Sequence, residues 1–135
     1  MFVLTHDRID STDLRAAVSD HGFGALVVFE GVTRNHFEGR PVERLEYEAY
    51  ADMAQAEMQR IRDETLQNWP SIKLAVAHRL GVVGLGETSL IIAVGAPHRV
   101  EGYEASRFVL EAIKSRLPVW KKEHYSDGES WKANT

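Results

Sequence analysis

The fold class follows from residues 72–95, which read IKLAVAHRLGVVGLGETSLIIAVG. Two apolar runs, Ile72–Leu80 and Thr88–Gly95, have the length and composition of β-strands. Between them, Gly81, Gly84 and Gly86 provide positions where the backbone can adopt the left-handed conformations that glycine tolerates. The two strands are therefore predicted to be joined by a turn, and a connection this short is typical of antiparallel pairing.

Outward from this stretch, strands and helices alternate along a single domain, residues 1–135. Helices are predicted where apolar residues recur at helical spacing. The first begins at about 11, after a capping residue, the second runs from 52 to 68 and is stopped by Pro70, and the third runs from 98 to 117 and is ended by Pro118. Further strands are predicted at 2–5, 24–29, 42–47 and 119–125, with a loop at 33–39. The run at 24–29 is apolar on both sides and predicts a central strand. The sequence thus predicts an α+β fold, mostly antiparallel, with three helices.

Composition excludes several classes of function. The formal net charge is −4, whereas non-specific nucleic-acid binding needs a basic surface. The chain has no cysteine, which excludes disulfides, thiolate zinc sites and a sulfur-carrying cysteine. If sulfur is transferred, another molecule must bring it. Because no apolar run approaches about 20 residues and the N-terminal sequence lacks the features of a signal peptide, we expect a cytoplasmic protein.

Arg34 is the first candidate for binding an anion. It follows an apolar strand and lies in a glycine-flanked loop, within the sequence FEGVTRN at 29–35. An arginine at a strand end can present a planar set of donors to a phosphate or carboxylate. The alternative is an ordinary surface arginine, which residues 29–35 taken alone favour.

His98 and Arg99 are the second candidate, between a predicted strand and the start of the third helix. Unpaired backbone N–H groups and the positive end of the helix dipole favour an anion there. A cationic side chain at a helix N-terminus is unfavourable for the helix, and a bound anion would compensate. An exposed pair tolerated at small cost explains the sequence equally well.

Lys114, Lys121 and Lys122 are the third candidate. Lys114 falls on the side of its helix opposite the apolar stripe, where a solvated lysine is the ordinary interpretation. Lys121 and Lys122 point to opposite faces of their strand, so at most one of them can share a pocket with Lys114. A lysine that is partly desolvated or close to other cations loses its proton more readily and can serve as base or nucleophile.

Other signals do not point to a metal or a cofactor. The six histidines show neither an HExxH pattern nor close pairing, so no metal site is predicted. The glycines at 81–86 lie between two strands and are not in the order of a dinucleotide-binding loop. The sequence has no nucleophile elbow and no P-loop. No cofactor is predicted.

Six blocks of sequence, in the same order, resemble the large subunit of molybdopterin synthase. They are FxGxTRN at 29–35, FEG at 37–39, LEYEAY at 45–50, HRLG at 78–81, PHR at 97–99 and KxRxPxWKKE at 114–123, followed by Trp131. The resemblance runs from about Gly24 to the end. It implies an α/β-hammerhead fold and a homodimer that binds two small ubiquitin-like sulfur carriers, giving a heterotetramer.

The implied reaction makes molybdopterin from cyclic pyranopterin monophosphate. Sulfur would come from the C-terminal thiocarboxylate of the carrier, whose Gly-Gly tail would insert into a pocket as an extended peptide. By position, the resemblance assigns catalytic roles to Lys114 and Lys121, and substrate binding to Arg34, His98, Arg99 and Phe29. The family completes its pocket across the dimer, so His98 and Arg99 are expected to serve the neighbouring subunit. An arginine from the longer basic tail of some relatives has no counterpart in this sequence.

Two other classes of function stay open at this level. The same fold and cations could belong to a non-catalytic module that binds a β-grasp partner as a scaffold. A nucleic-acid-binding domain using Arg34, Arg99, Lys121 and Lys122 is disfavoured by the net charge, and only steeply salt-dependent binding to oligonucleotides would support it.

Overall fold

The computed structural model describes residues 1–126 and 128–133, and within these ranges the chain forms three helices and nine strands. In chain order they are β1 (Phe2–Thr5), α1 (Ser11–Ala17), β2 (Ala25–Val32), β3 (His36–Phe37), β4 (Arg40–Ala49), α2 (Ala51–Asn68), β5 (Lys73–Arg79), β6 (Gly81–Gly84), β7 (Thr88–Ala96), α3 (Arg99–Arg116), β8 (Val119–Tyr125) and β9 (Gly128–Ala133). The α+β class with mostly antiparallel pairing and three helices is confirmed.

The predicted helix boundaries are confirmed, and their causes are visible. The Asp10 carboxylate accepts a hydrogen bond from the Thr12 N–H at 2.8 Å and caps α1. Helix α2 ends two residues before Pro70, and α3 ends two residues before Pro118. Across the described ranges, none of the helices combines the length and the apolar character that a membrane crossing requires.

The first sheet contains four strands in the order β1-β5-β7-β2. Strands β5 and β7 pair antiparallel, as residues 72–95 predict, with Val76 opposite Ile92. The prediction that 24–29 is a central strand is wrong, because β2 lies at the edge of this sheet. Along β2, half-buried and exposed residues alternate, and Leu26 and Val28 lie on the exposed face. Because the run at 24–29 is apolar on both sides, β2 has an exposed apolar face.

Helices cover the two faces of the first sheet. Helix α1 and the residue that follows it pack on one face through Leu14 and Val18. It approaches the sheet closely at Gly95, where a Cβ atom would lie 2.0 Å from the carbonyl oxygen of Val18. Helices α2 and α3 cover the other face. The buried side chains that they contribute to the main core include Met58, Ile61, Val109 and Ile113. These two layers fix the position of α3 relative to the sheet.

The second sheet runs in the order β3-β4-β8-β9, with β6 also paired to β4. Strands β4 and β8 are antiparallel, with Tyr47 opposite Lys121. Strand β9, which was not predicted, pairs with β8 and brings Lys132 opposite Lys121. The residues of β4 and β8 that point inward face the end of the first sheet.

Two predicted connections contain strands instead. The connection at 81–86 was predicted as a turn, but Gly81–Gly84 forms β6 because β4 offers it a free edge for pairing. The predicted loop at 33–39 contains β3, which makes a hairpin with β4. Glu38 and Gly39, both with positive φ, form its turn. Gly81 and Gly86 also have positive φ, as their place in the glycine-rich connection suggests.

Candidate active site

A pocket of about 190 Å³ lies where the second sheet meets the end of the first sheet and the last turn of α3. Its lining combines apolar, hydroxyl and charged side chains from five strands, from α3 and from the segment that follows β2. The lining residues are Gly31, Val32, Arg34, His36, Phe37, Val42, Leu45, Tyr47, Ser89, Lys114, Lys121 and Glu123. Three of the predicted site residues, Arg34, Lys114 and Lys121, are therefore brought together.

Arg34 reaches the pocket from the segment that follows β2. The pairing of β2 with β7 shifts register between Gly31 and Val32. Beyond this irregularity, the Thr33 N–H donates to the carbonyl oxygen of Glu87 at 3.0 Å, and the Gly86 N–H donates to that of Thr33 at 2.8 Å. These backbone bonds fix the exit of the chain from the sheet. The Arg34 guanidinium lies 5.8 Å from the centre of the Phe37 ring, a cation–π distance.

Lys114 differs from the solvated lysine that its helical position suggests. It is half-buried at the end of α3 and lines the pocket. Residues of the second sheet line the same pocket as this last turn of α3, and a helical wheel does not represent such neighbours. Burial lowers the pKa of Lys114, and the positive charge of Lys121 lowers it further.

Lys121 and Lys122 lie on opposite faces of β8, as the strand period predicts. Lys121 is half-buried in the pocket, whereas Lys122 forms an ion pair with Glu129 at 3.1 Å and lies over the Trp131 ring. Burial lowers the pKa of Lys121, and repulsion from Lys132 and Arg34 adds to this effect, against the attraction of Glu123. The face of the strand decides which lysine faces the pocket.

Glu123 is a pocket residue to which the sequence analysis gave no role. It is almost fully buried, accepts a hydrogen bond from the Tyr125 hydroxyl, and lies 3.2 Å from the Lys132 ammonium. Burial alone would raise the pKa of Glu123, but these partners outweigh burial, so its pKa lies below the ordinary value. The carboxylate is therefore an anion that offsets part of the positive charge of Lys121. The strand period could have found Glu123, because it lies two residues beyond Lys121.

Hydroxyl groups form another part of the lining. The Tyr47 hydroxyl donates to Ser89 Oγ at 3.3 Å, and the Ser89 hydroxyl donates to the carbonyl oxygen of Gly31 at the same distance. Burial raises the pKa of Tyr47, so its hydroxyl stays protonated at neutral pH. The edge of the Tyr47 ring meets the ring of buried His78, with 5.2 Å between the ring centres. The pocket thus contains neutral hydroxyl groups beside its cations.

The structure does not bring His98, Arg99 or Phe29 into the lining. His98 is the N-cap of α3, and Arg99 is its first residue. Fifteen residues of helix separate Arg99 from Lys114, about 22 Å at the rise of an α-helix. The side chains of His98 and Arg99 are exposed. Phe29 is half-buried and packs against the main core. The substrate-binding roles of all three residues stay predictions.

The helix N-terminus at His98 already has an anionic side chain of its own. The His98 backbone N–H donates to the carboxylate of Glu101 at 3.2 Å. This contact supplies part of the negative charge that a helix N-terminus favours. The basic pair therefore does not depend on a bound anion for the stability of α3.

A second cavity, of about 240 Å³, lies on the outer face of the second sheet. It is lined by Glu48, Ala49, Tyr50, Trp120 and Trp131. No cationic side chain occurs among these five lining residues. A pocket for an anionic reactant therefore fits the cavity that contains Arg34, Lys114 and Lys121 better than this aromatic one.

Comparison with known proteins identifies the family. The family described as MoaE protein matches residues 4–116. The chain belongs to this family. It is 53% identical over 112 residues to the molybdopterin synthase catalytic subunit of Taeniopygia guttata, which covers 82% of this chain and 72% of that protein. It is 46% identical over 111 residues to the human molybdopterin synthase catalytic subunit, with 82% of this chain and 59% of that protein covered.

Solved structures agree with this membership. The crystal structure of molybdopterin synthase from Staphylococcus aureus superposes with a TM-score of 0.91 at 36% identity, covering 96% of this chain and 94% of that one. A protein–protein complex of subunits 1 and 2 of molybdopterin-converting factor from Helicobacter pylori 26695 matches with a TM-score of 0.77 at 20% identity, covering 96% and 88%. The second likeness is one of fold.

Proposed function

We propose that this MoaE-family protein is the catalytic subunit of a molybdopterin synthase. It transfers sulfur from the C-terminal thiocarboxylate of a small β-grasp carrier to cyclic pyranopterin monophosphate and so makes molybdopterin. The observation that carries this proposal is the convergence of Arg34, Lys114 and Lys121, from three separate parts of the chain, on one pocket. The catalytic-subunit names of its relatives point to the same activity.

The charges of the reactants explain why such a pocket is needed. The phosphate of the pterin and the thiocarboxylate of the carrier are both anions, and they repel each other unless cations are already in place. Arg34 supplies preorganised stabilisation for the phosphate. Lys121, with Lys114, stabilises the thiocarboxylate and then assists proton transfers as sulfur attacks the pterin side chain and the acyl intermediate is hydrolysed. Their lowered pKa values make this proton transfer easier.

The carrier supplies the sulfur that a chain without cysteine cannot hold. Its glycine tail would lie extended in the pocket, with backbone hydrogen bonds along its length. Two sulfur atoms enter each product, so two charged carriers are consumed per molecule of molybdopterin. The Helicobacter pylori molybdopterin-converting factor, which shares this fold, also forms a complex of two subunits.

A homodimer would place the basic pair at a partner's pocket. The edge strand β2 starts beside His98, because the Gly24 N–H donates to the carbonyl oxygen of Pro97 at 3.1 Å, and it ends at the pocket residues Gly31 and Val32. Its outer face exposes Leu26, Val28 and Val32. A two-fold axis across the middle of β2 would set two such strands antiparallel. His98 and Arg99 of each subunit would then lie near the Arg34 end of the other.

Reconstitution separates the synthase from a scaffold. The protein is mixed with thiocarboxylated carrier and cyclic pyranopterin monophosphate, and dithiolene product is measured against the carrier consumed. We expect product at a ratio of one per two carriers. Carrier binding without dithiolene would contradict the proposal and identify a scaffold. The cytoplasmic location expected from the sequence stays a prediction, which fractionation of cells that express the protein would test.

A further inference from the structure

We propose that His78 is a positioning residue for Lys114: its Nε2 atom accepts a hydrogen bond from the Lys114 ammonium and directs that group into the pocket. His78 belongs to β5, behind the pocket, and does not line it. The contact itself is independent of the reaction. Only its expected effect on turnover rests on the proposed function.

The hydrogen bond at Nδ1 fixes the tautomer of His78. Nδ1 lies 3.0 Å from the carbonyl oxygen of Arg79. A carbonyl oxygen only accepts, so Nδ1 must carry the proton, and in a neutral ring Nε2 is then an acceptor. His78 is 1% exposed, which keeps Nε2 away from bulk water. A buried acceptor is costly unless a donor reaches it.

The ring stays neutral because of where it lies. Burial lowers the pKa of His78 to about 4, and the positive charge of Lys114 contributes to this shift. Tyr47 contacts this ring and also lines the pocket with Lys114, so the Lys114 side chain from α3 lies on the pocket side of the ring. From β4, the neighbour of the ring is Tyr47, whose own ionisation is suppressed by burial.

A neutral acceptor suits Lys114 better than a carboxylate would. Lys121 repels Lys114 from β8, and four rotatable bonds allow the ammonium to move away. A carboxylate partner would hold Lys114 but cancel its charge, leaving less attraction for an anionic reactant. An imidazole holds the ammonium and leaves its charge unneutralised. The neighbouring Lys121 has Glu123 as its counter-charge, so the two lysines would be held in different ways.

Two near-isosteric substitutions separate the two ring nitrogens. His78→Asn keeps a donor near the position of Nδ1, for the Arg79 carbonyl, and removes the acceptor at Nε2. His78→Gln places an amide oxygen near the position of Nε2. Both are neutral and of similar size, so each is the matched control for the other. Circular dichroism and thermal unfolding establish that each variant is folded.

The first measurement is the titration of Lys114 by NMR of its ε-carbon, without carrier or substrate, assigned by its loss in Lys114→Met. Loss of an acceptor that favours the ammonium should lower the pKa of Lys114 in His78→Asn by about half a unit or more. In His78→Gln this pKa should stay near the wild-type value. An unchanged Lys114 titration in folded His78→Asn would overturn the proposal, whatever the activity.

The second measurement is turnover in the reconstituted synthase. His78→Asn should lower kcat about tenfold with little change in KM for the pterin, because the ammonium is displaced and no substrate contact is lost. His78→Gln should stay within about twofold of wild type. If the NMR prediction holds but kcat does not change, His78 still positions Lys114, and the proposed role of Lys114 in the reaction fails instead.

A third measurement uses Lys114→Met, which removes the donor of the proposed hydrogen bond. It tests the contact even if His78→Asn does not fold. Nitrogen NMR of the imidazole in the wild-type chain should show Nδ1 protonated and Nε2 unprotonated. Lys114→Met should move the Nε2 resonance towards the position of a free acceptor and leave Nδ1 unchanged. An Nε2 resonance that does not respond to Lys114→Met would refute the contact.

Discussion

The two ends of α3 carry similar cationic residues in different surroundings. At the C-terminal end, Lys114 is half-buried in a pocket beside Lys121, and its charge contributes to the lowered pKa of buried His78. At the N-terminal end, His98 and Arg99 are exposed, about 22 Å away along the helix. Residue type alone therefore does not define a site in this molecule. The pocket at the C-terminal end is lined by residues of one chain, whereas the role proposed for the N-terminal pair depends on a second subunit.

The largest expected effect is at the C-terminal end, on β8. Lys121→Ala should lower product formation about a thousandfold or more while carrier binding stays largely intact, because a preorganised cation and proton donor is removed at the reacting carboxyl group. Lys122→Ala is the matched control. It removes the neighbouring lysine, which lies on the opposite face of the same strand.

Single-turnover assays with thiocarboxylated carrier measure both variants, and carrier affinity is measured separately by calorimetry. We expect Lys122→Ala to retain most of its activity. Near-normal turnover in Lys121→Ala would exclude this lysine from the mechanism and remove the distinction between the two faces of β8.

A smaller effect concerns the free energy of unfolding and comes from His78, which lies behind the C-terminal end of α3. The pKa of His78 is about 4 in the folded protein, against about 6.5 when unfolded. Between these values the unfolded chain binds a proton that the folded chain does not, so the free energy of unfolding falls as pH falls. The total loss at this site is roughly 3 kcal/mol. Urea unfolding at pH 7 and pH 4.5 measures most of this loss.

His78→Gln provides the comparison for this acid effect, because its side chain does not titrate. Between the two pH values its free energy of unfolding should fall less than that of the wild type. The difference between the two falls should be most of the His78 contribution. If the wild type and His78→Gln lose equal stability in acid, the buried neutral state of His78 is wrong.

The smallest effect concerns binding of the pterin. Arg34→Ala should raise KM for cyclic pyranopterin monophosphate about tenfold and change kcat less, because the guanidinium mainly anchors the substrate through its phosphate. Arg44→Ala is the control, since Arg44 is exposed and its ion pair, with Glu43, is at 3.8 Å. An unchanged KM in Arg34→Ala would argue against the phosphate site.

Local sequence patterns predicted the helices and the opposite orientations of Lys121 and Lys122 on their strand. Features that depend on distant segments of the chain were missed. The period of two along 119–125 placed Lys121 and Lys122 on opposite faces, because strand geometry is local. The predicted central position of β2 was wrong. A run that is apolar on both sides does not reveal what covers the second face of the strand. Strand β6 was missed because it depends on the free edge of β4.

For the site too, local features could be predicted and features that depend on distant segments could not. Convergence of Arg34, Lys114 and Lys121 came from the resemblance to a family, since nothing in the local sequence brings the end of β2 to the last turn of α3. The sequence alone favoured a solvated Lys114, because a helical wheel contains no information about the second sheet. Glu123 was within reach of the strand period, but a buried carboxylate is visible only once its partners Tyr125 and Lys132 are placed.

Subunit mixing tests most directly whether the pocket of one subunit and the basic pair of the other subunit form one site. Lys121→Ala and Arg99→Ala are prepared separately, each with low activity, and then mixed in equal amounts under conditions that allow subunits to exchange. A hybrid dimer has one site with both residues intact and one site with neither. The account predicts recovery to about a quarter of wild-type activity, since half of the dimers are hybrids and each has one good site. Activity that stays at the average of the two variants would contradict it.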